Sequence, residues 1–308
     1  MRRRGIWAIA IILALVLLGA LALWLAVQRN GPAVLDAVDR LAGPSSNVMR
    51  VEEVRFGSDP LQQLIVYRGG ETGGPQPVFV FFHGGAWAHG NPQDYGFVAR
   101  NIAAQGYVVV LGGYRLNEAG RYPAMLEDTA SVIGWTHRNI ARHGGDPSRI
   151  VLSGHSAGAY NVAQVALDPQ WLAQERVPPK AIRGVVGLAG PYDFHPFDTD
   201  RSRAAFQSVG AGPESQPVNV VGTDPPPFLL VHGEEDTTVR IRNSLALEKA
   251  LRQAGGAVDT LYLEGKTHNF PLLALTHPWR RDPEVFDRVI GFLESRTQVS
   301  VPVQTATP

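Results

Sequence analysis

Cysteine is absent from the 308 residues, and methionine occurs three times. Without cysteine the chain has no disulfide framework, no thiolate metal site and no cysteine nucleophile, and it tolerates any redox compartment. No HExxH pair is present, so nothing in the pattern calls for a metal. Excess charge is missing as well: 28 Lys plus Arg balance 28 Asp plus Glu. A neutral body has no field with which to gather phosphate backbones, so nucleic acid is not an expected partner. Gly210-Ala211-Gly212 lacks both a preceding buried strand and a completed GxGxxG, which argues against a dinucleotide, and no cofactor is expected.

What is present begins with an apolar run. The 23 residues from Gly5 to Val27 carry no charge, and at about 1.5 Å per residue a helix of that length crosses the ~30 Å hydrocarbon layer. Arg2, Arg3 and Arg4 precede it, only Arg29 follows closely, and Trp7 and Trp24 sit near its ends. The positive-inside rule then keeps residues 1–4 cytoplasmic and makes 5–27 a single-pass signal-anchor, with the remainder on the extracytoplasmic side. The competing reading is secretion after cleavage of a signal peptide. The apolar region of such a peptide is typically about 7–15 residues with a small-x-small site, and this run is longer with no clean A-x-A after it.

Residues 28–50 read as a juxtamembrane linker with one short helix between Gly and Pro breaks. From Val51 the rhythm is that of a packed globular domain, consistent with 44% hydrophobic and 18% charged residues. Extended runs at 51–56 and 61–67 suit an antiparallel edge pair. Runs rich in Val, Ile, Leu and Phe follow at 77–82, 107–111, 149–152, 182–188, 227–231 and 258–263, the composition of strands buried on both faces. Helix-like stretches at 95–105, 125–141, 157–167, 242–254 and 283–294 alternate with them, which predicts an α/β fold with a mostly parallel central sheet flanked by helices over 51–295. The polar stretch from His195 to Pro226 fits that rhythm poorly and holds one weak helical patch at 204–209. Residues 296–308 read as a flexible tail.

Four motifs fall at the ends of apolar runs. Gly154-His155-Ser156-Ala157-Gly158 lies between a strand and a helix, the setting of a nucleophile elbow in which small residues permit a tight turn that exposes a serine. Alone, such a motif is weak evidence, because in a chain with 33 glycines a match carries a real risk of chance. His83-Gly84-Gly85-Ala86-Trp87 follows the run at 77–82, where glycines let backbone amides face a cavity; the amides of Gly84, Gly85, Ala86 and Ala157 are the candidate oxyanion hole. His232-Gly233-Glu234-Glu235-Asp236 puts acids at a strand's carboxyl end, with Asp236 the choice over Glu234 and Glu235. Lys266-Thr267-His268-Asn269-Phe270 supplies a histidine between the last strand and the last helix. Serine needs a neighbouring imidazole to take its proton, and a carboxylate behind the ring fixes the tautomer. Ser156, Asp236 and His268 therefore form the candidate triad, in the chain order Ser, Asp, His. Trp87 and Tyr192 are candidates for the substrate pocket. His155 reads as structural, and His83 as packing beneath the oxyanion loop.

HGGAW, GHSAG, HGEED and THNF, with Tyr114-Arg115-Leu116 and GGDPSRI at 144–150, resemble the esterase/lipase branch of the α/β-hydrolase superfamily. The nearer likeness is to hormone-sensitive-lipase-like carboxylesterases, arylformamidases and prenylcysteine methylesterases, over about Val51 to Ser295. The resemblance implies an α/β-hydrolase fold with a short cap and a serine hydrolase that cleaves carboxylic esters through an acyl-enzyme. HGGAW departs from the HGGG of many lipases, and the short cap departs from members with a large helical lid, which argues against long-chain lipids. Two alternatives stand beside it: an amide-bond hydrolase, formamidase or peptidase, on the same residues, and a non-catalytic hydrolase-like binding protein.

Overall fold

The computed structural model describes residues 2–42, 47–70, 73–207, 212–276 and 283–298. Each apolar run from Val51 onward becomes a strand. β1 (Met49–Arg55), β2 (Gln63–Arg68), β3 (Gln76–Phe82), β4 (Val108–Gly112), β5 (Gly145–His155), β6 (Ile182–Leu188), β7 (Phe228–Gly233) and β8 (Val258–Leu263) form one eight-stranded sheet. Its spatial order is β1-β2-β4-β3-β5-β6-β7-β8. β2 pairs antiparallel with both β1 and β4, and every other neighbour is parallel. The expected antiparallel edge is therefore present.

Helices follow the strands: α1 (Arg2–Ala42), α2 (Gly96–Ala103), α3 (Ala124–Asn139), α4 (Ala157–Leu167), α5 (Pro169–Gln174), α6 (Asp200–Phe206), α7 (Arg242–Gln253), α8 (Phe270–Leu273) and α9 (Glu284–Thr297). Strand side chains alternate between two cores, as the pleat requires. Val78, Val80 and Phe82 of β3 join Leu126, Val162 and Leu247 of α3, α4 and α7. Phe79 and Phe81 turn the other way, to Phe97 and Ile102 of α2 and Val289 and Phe292 of α9. Burial on both faces accounts for the unbroken apolar runs.

β5 reaches three residues past the apolar run at 149–152 because Ser153, Gly154 and His155 continue to pair with Val186, Gly187 and Leu188 of β6. Their composition hid this from the sequence. Between His195 and Pro226, α6 begins earlier than the helical patch at 204–209, because Thr199 caps it: its Oγ1 accepts from the Ser202 N–H at 3.0 Å. Positions 208 and 209 of that patch lie outside the described residues, as do 43–46 of the linker and 299–308 of the tail.

The segment after the apolar run is more ordered than a linker with one short helix. α1 is interrupted at Asn30, whose backbone is non-helical, and Pro32 follows. Proline cannot continue a helix inward but suits its first turn. Asn30 restarts the helix as a cap, its Oδ1 accepting from the Ala33 N–H at 3.2 Å. The second half lies on α2, where Arg100 donates to Asp36 Oδ1 at 2.8 Å and to Asp39 Oδ2 at 2.7 Å. Before the kink, Leu13, Leu17, Leu21 and Trp24 are exposed, and the helix is long and apolar enough to cross a membrane.

Candidate active site

β5 ends at His155 and α4 starts at Ala157, leaving Ser156 alone in the turn with φ 53° and ψ −119°. A positive φ costs a serine backbone energy, so the turn persists only because the surroundings determine it. The Ser156 N–H donates to the Leu188 carbonyl at 2.8 Å. The motif glycines allow the close approach: a Cβ on Gly158 would stand 2.3 Å from the Phe82 oxygen, and one on Gly154 would stand 2.3 Å from the Gly158 carbonyl carbon. Strand and helix therefore meet backbone to backbone beneath the serine.

Asp236 and His268 arrive on the loops after β7 and β8, so the three side chains meet at the carboxyl ends of parallel strands. His268 Nε2 lies 3.0 Å from Ser156 Oγ, and His268 Nδ1 lies 2.6 Å from Asp236 Oδ2. The other carboxylate oxygen accepts from the N–H groups of Thr238 and Val239, both at 2.8 Å. Burial alone would raise the pKa of Asp236, but hydrogen bonds from His232 and His268 hold it well below the usual carboxylate range. Glu234 and Glu235, the rival acids, are exposed.

Two further histidines shape the site. His232 is fully buried, with Nε2 2.7 Å from the Val239 carbonyl and 3.2 Å from Asp236 Oδ2. Both are acceptors, so Nε2 carries a proton, while Nδ1 lies 2.7 Å from Ser244 Oγ. Apart from the four-residue spacing of His232 and Asp236, no local pattern points to this contact. His155, expected to be structural, is buried, and its Nε2 donates to the His268 carbonyl at 3.1 Å. Burial first, and then the neighbouring His268, push its pKa down to about 3. His83 lies under the glycine loop as expected, its Nδ1 donating to the Gly84 carbonyl at 2.8 Å and its ring stacked on Tyr114. Burial lowers its pKa to about 4.

The glycine loop bends through positive φ at Gly85 (119°), Ala86 (51°) and Trp87 (57°). Its carbonyl traffic is inward, with the N–H groups of Ala88 and His89 both donating to the Gly85 oxygen. The N–H groups of Gly85, Ala86 and Ala157 make no hydrogen bond to any described residue. Ala157 is the first residue of α4, where an amide has no carbonyl four residues back. The N–H of Gly84, the fourth amide expected in the oxyanion hole, is directed to the buried Tyr95 hydroxyl, and the residue brings the loop against the elbow: a Cβ there would stand 3.1 Å from Ser156 Cβ. Among the described residues, no group of three or more His, Asp and Glu converges as a metal site.

The family model for BD-FAE matches residues 64–251, which includes the glycine loop, the elbow and Asp236. The chain belongs to the BD-FAE family. It is similar to Esterase LipC of Mycobacterium tuberculosis, 32% identical over 241 residues covering 71% of this chain and 60% of LipC. Similarity to the isoprenylcysteine alpha-carbonyl methylesterase ICME of Arabidopsis thaliana is 27% over 268 residues, covering 78% of this chain and 61% of the relative. The chain thus spans somewhat over half the length of these curated relatives. Among solved structures, Esterase B from Lactobacillus rhamnosis superposes with a TM-score of 0.72 at 21% identity, covering 90% of this chain and 95% of that one. An esterase from Pyrobaculum calidifontis gives 0.72 at 21%, covering 87% and 91%. The fold of this BD-FAE chain is that of the α/β-hydrolases.

In the BD-FAE chain Ser156 opens into a cleft of about 430 Å³ between the glycine loop, α6 and the start of α7. Trp87 lines it, as do Phe194 and Pro191. The Trp87 indole donates to Asn161 Oδ1 at 3.0 Å and packs against Tyr160, Phe194 and Phe206, which holds a large flat wall in place. Tyr192 does not line the cleft. Its ring is fully buried beneath the loop, against Gly187 and Gly190, so its neighbours Pro191 and Phe194 take the role expected of it. A larger depression of about 620 Å³ lies at the amino ends of β6 and β7 and holds none of the site's side chains.

Proposed function

We propose that this chain hydrolyses carboxylic esters through an acyl-enzyme on Ser156. One observation carries the reading: the unbroken hydrogen-bond series from Asp236 through His268 to Ser156, beside the unbonded amides of Gly85, Ala86 and Ala157. His268 Nε2 accepts the serine proton as Oγ attacks the ester carbonyl carbon. The tetrahedral oxyanion takes hydrogen bonds from the waiting amides, each such donor contributing about 3–4 kcal/mol in comparable sites. His268 then returns the proton to the departing alkoxide, and the alcohol leaves. Water repeats the cycle on the acyl-enzyme, giving the carboxylic acid and free serine. Asp236 keeps Nδ1 protonated and stabilises the imidazolium, in the one tautomer that leaves Nε2 free to accept. The esterase names of the relatives support the choice of bond.

The layout proposed for the chain places the basic residues 1–4 on the cytoplasmic side, 5–27 in the membrane, and the hydrolase body of 51–295 outside it. The exposed apolar first half of α1 supports an anchor. Carbonate-resistant association of the full chain with membranes, lost on removal of residues 1–27, is the expected result.

The activity is tested with p-nitrophenyl acetate and butyrate and with a fluorophosphonate probe. Ser156→Ala is expected to abolish turnover and labelling together. Labelling that persists in that variant overturns the assignment.

A further inference from the structure

The cleft lining is of two chemical kinds. Around Ser156 it includes the apolar rings of Trp87 and Phe194, and the same lining carries Arg201 of α6, Arg240 of the loop before α7 and Arg242 of α7. Asp198 is the single carboxylate in the lining, so three cations face one anion in a protein whose total charge balances. Among the described residues none of the three guanidinium groups has an ion-pair partner or a side-chain hydrogen bond. Arg203, on the same helix as Arg201, is held by Asp200 at 2.6 Å. Three segments, α6, the loop that follows Asp236 and the start of α7, thus each set one cation in the lining of the same cleft.

Such an arrangement has no role in the acyl-transfer steps, which are served by Ser156, His268 and the amides. Unpaired arginines cost the fold like-charge repulsion and give it no packing in return, since all three side chains stand exposed. Their chemistry suits a carboxylate, which a planar guanidinium grips with two parallel hydrogen bonds. Resting on the esterase reading, we propose that the substrate is an ester bearing a carboxylate set apart from the scissile bond, its uncharged reacting end against Trp87 and its charged end held by Arg201, Arg240 and Arg242.

The test compares matched esters that differ in charge alone. Para-acetoxybenzoate against para-acetoxybenzamide places the charge on the leaving group, and the p-nitrophenyl hemiester of glutarate against p-nitrophenyl valerate places it on the acyl group. Each rate is divided by the rate of uncatalysed hydroxide hydrolysis. The ratio of kcat/KM, anionic over neutral, is expected to exceed unity for one pair, which names the side of the bond that carries the charge. That ratio should fall about two- to fivefold in Arg240→Gln and about tenfold or more when Arg201 and Arg242 are changed as well. It should also fall as NaCl is raised to about 0.5 M, where screening acts within a few ångströms. Arg138→Gln removes the same unit of charge from α3, outside the cleft lining, and should leave the ratio unchanged.

Ratios at or below unity for both pairs, or ratios indifferent to the arginine substitutions, overturn the proposal. Hydrolysis of the neutral esters by the unmodified chain separates the two claims: neutral turnover without anionic preference sinks the carboxylate reading alone. No turnover of any ester sinks the esterase reading itself.

Discussion

His155 donates through Nε2 to the backbone carbonyl of His268 at 3.1 Å, with the two rings 4.9 Å apart. The residue before the proposed nucleophile thus ties down the loop that carries the proposed base. Because β5 continues through His155, the tie runs from the rigid centre of the sheet to a loop held otherwise by Asp236 and by backbone bonds such as that from the Glu235 N–H to the Lys266 carbonyl.

A hydrogen bond of this kind contributes about 1 kcal/mol net. If it holds the imidazole in line with Ser156, its loss is expected in kcat and not in KM. We expect His155→Leu, which keeps the buried volume, to lower kcat about tenfold with KM within about twofold. His155→Gln, which retains an N–H donor, should recover part of that loss. Equal effects on kcat and KM in steady-state assays would point to a disturbed cleft instead.

Asp236 makes a sharper case, because its two oxygens do different work. Oδ1 holds its own loop through Thr238 and Val239, and Oδ2 receives His268 and His232. Asp236→Asn preserves the first acceptor and replaces the second with a donor facing two donors. The fold should survive, with kcat reduced by as much as ~10⁴, as expected when the histidine loses the tautomer it needs. Glu234→Gln and Glu235→Gln, at exposed positions, should change kcat little. A severe loss in either would reassign the carboxylate.

The meeting of Ser156, Asp236 and His268, the proposed triad, was legible because each follows a buried apolar strand, and an open α/β sheet presents its strand ends on one edge. The glycine loop was legible for the same reason, and the antiparallel pair β1 and β2 and the parallel strands fall on the expected apolar runs, with β5 alone extending well beyond its run. What stayed hidden depended on contacts distant in the chain. Asp39 meets Arg100 across 61 residues, and neither residue has a local pattern that points to the other. His155 meets the His268 carbonyl across 113 residues. Tyr192 was misjudged because alternation cannot be followed through the irregular backbone after β6, where Ala189 has a positive φ of 50°.

His83 and His155 are both buried and both titrate below the usual 6.5, at about 4 and about 3. The unfolded chain therefore takes up protons near pH 6.5 that the folded chain refuses until lower pH. Stability contributed by keeping these rings neutral is full above the unfolded value and is lost as pH falls from about 6.5 toward about 4. For His83 the loss amounts to on the order of 3 kcal/mol at the bottom of that window. His83→Phe keeps the stack on Tyr114 and removes the titration. Although it loses the Gly84 bond at every pH, its melting temperature should fall less between about pH 7 and pH 4.5 than that of the parent. An unchanged slope would mean that other groups carry the acid sensitivity.

The second half of α1 packs on the body of the protein, and an ion-pair cluster joins the two. Arg100 has a side chain 11% exposed and donates to Asp36 and, through Nε and Nη2, to Asp39 at 3.0 and 2.7 Å. Asn101 adds a bond to Asp39 Oδ1 at 2.7 Å. Removing one side of such a pair costs up to about 3–5 kcal/mol, the full amount only where the remaining charge stays shielded from water. A chain starting at residue 31 keeps the pair and should melt near the temperature of the detergent-solubilised full chain. One starting at residue 51 should melt roughly 10 °C lower. Apolar contacts of Leu35 are lost in the same truncation, so the two causes must be separated. Arg100→Met in the shorter chain removes the stranded charge while keeping an apolar stem, and it should restore a good part of the difference if the charge is responsible. If it restores nothing, the helix is held by its apolar face and the ion pair is incidental.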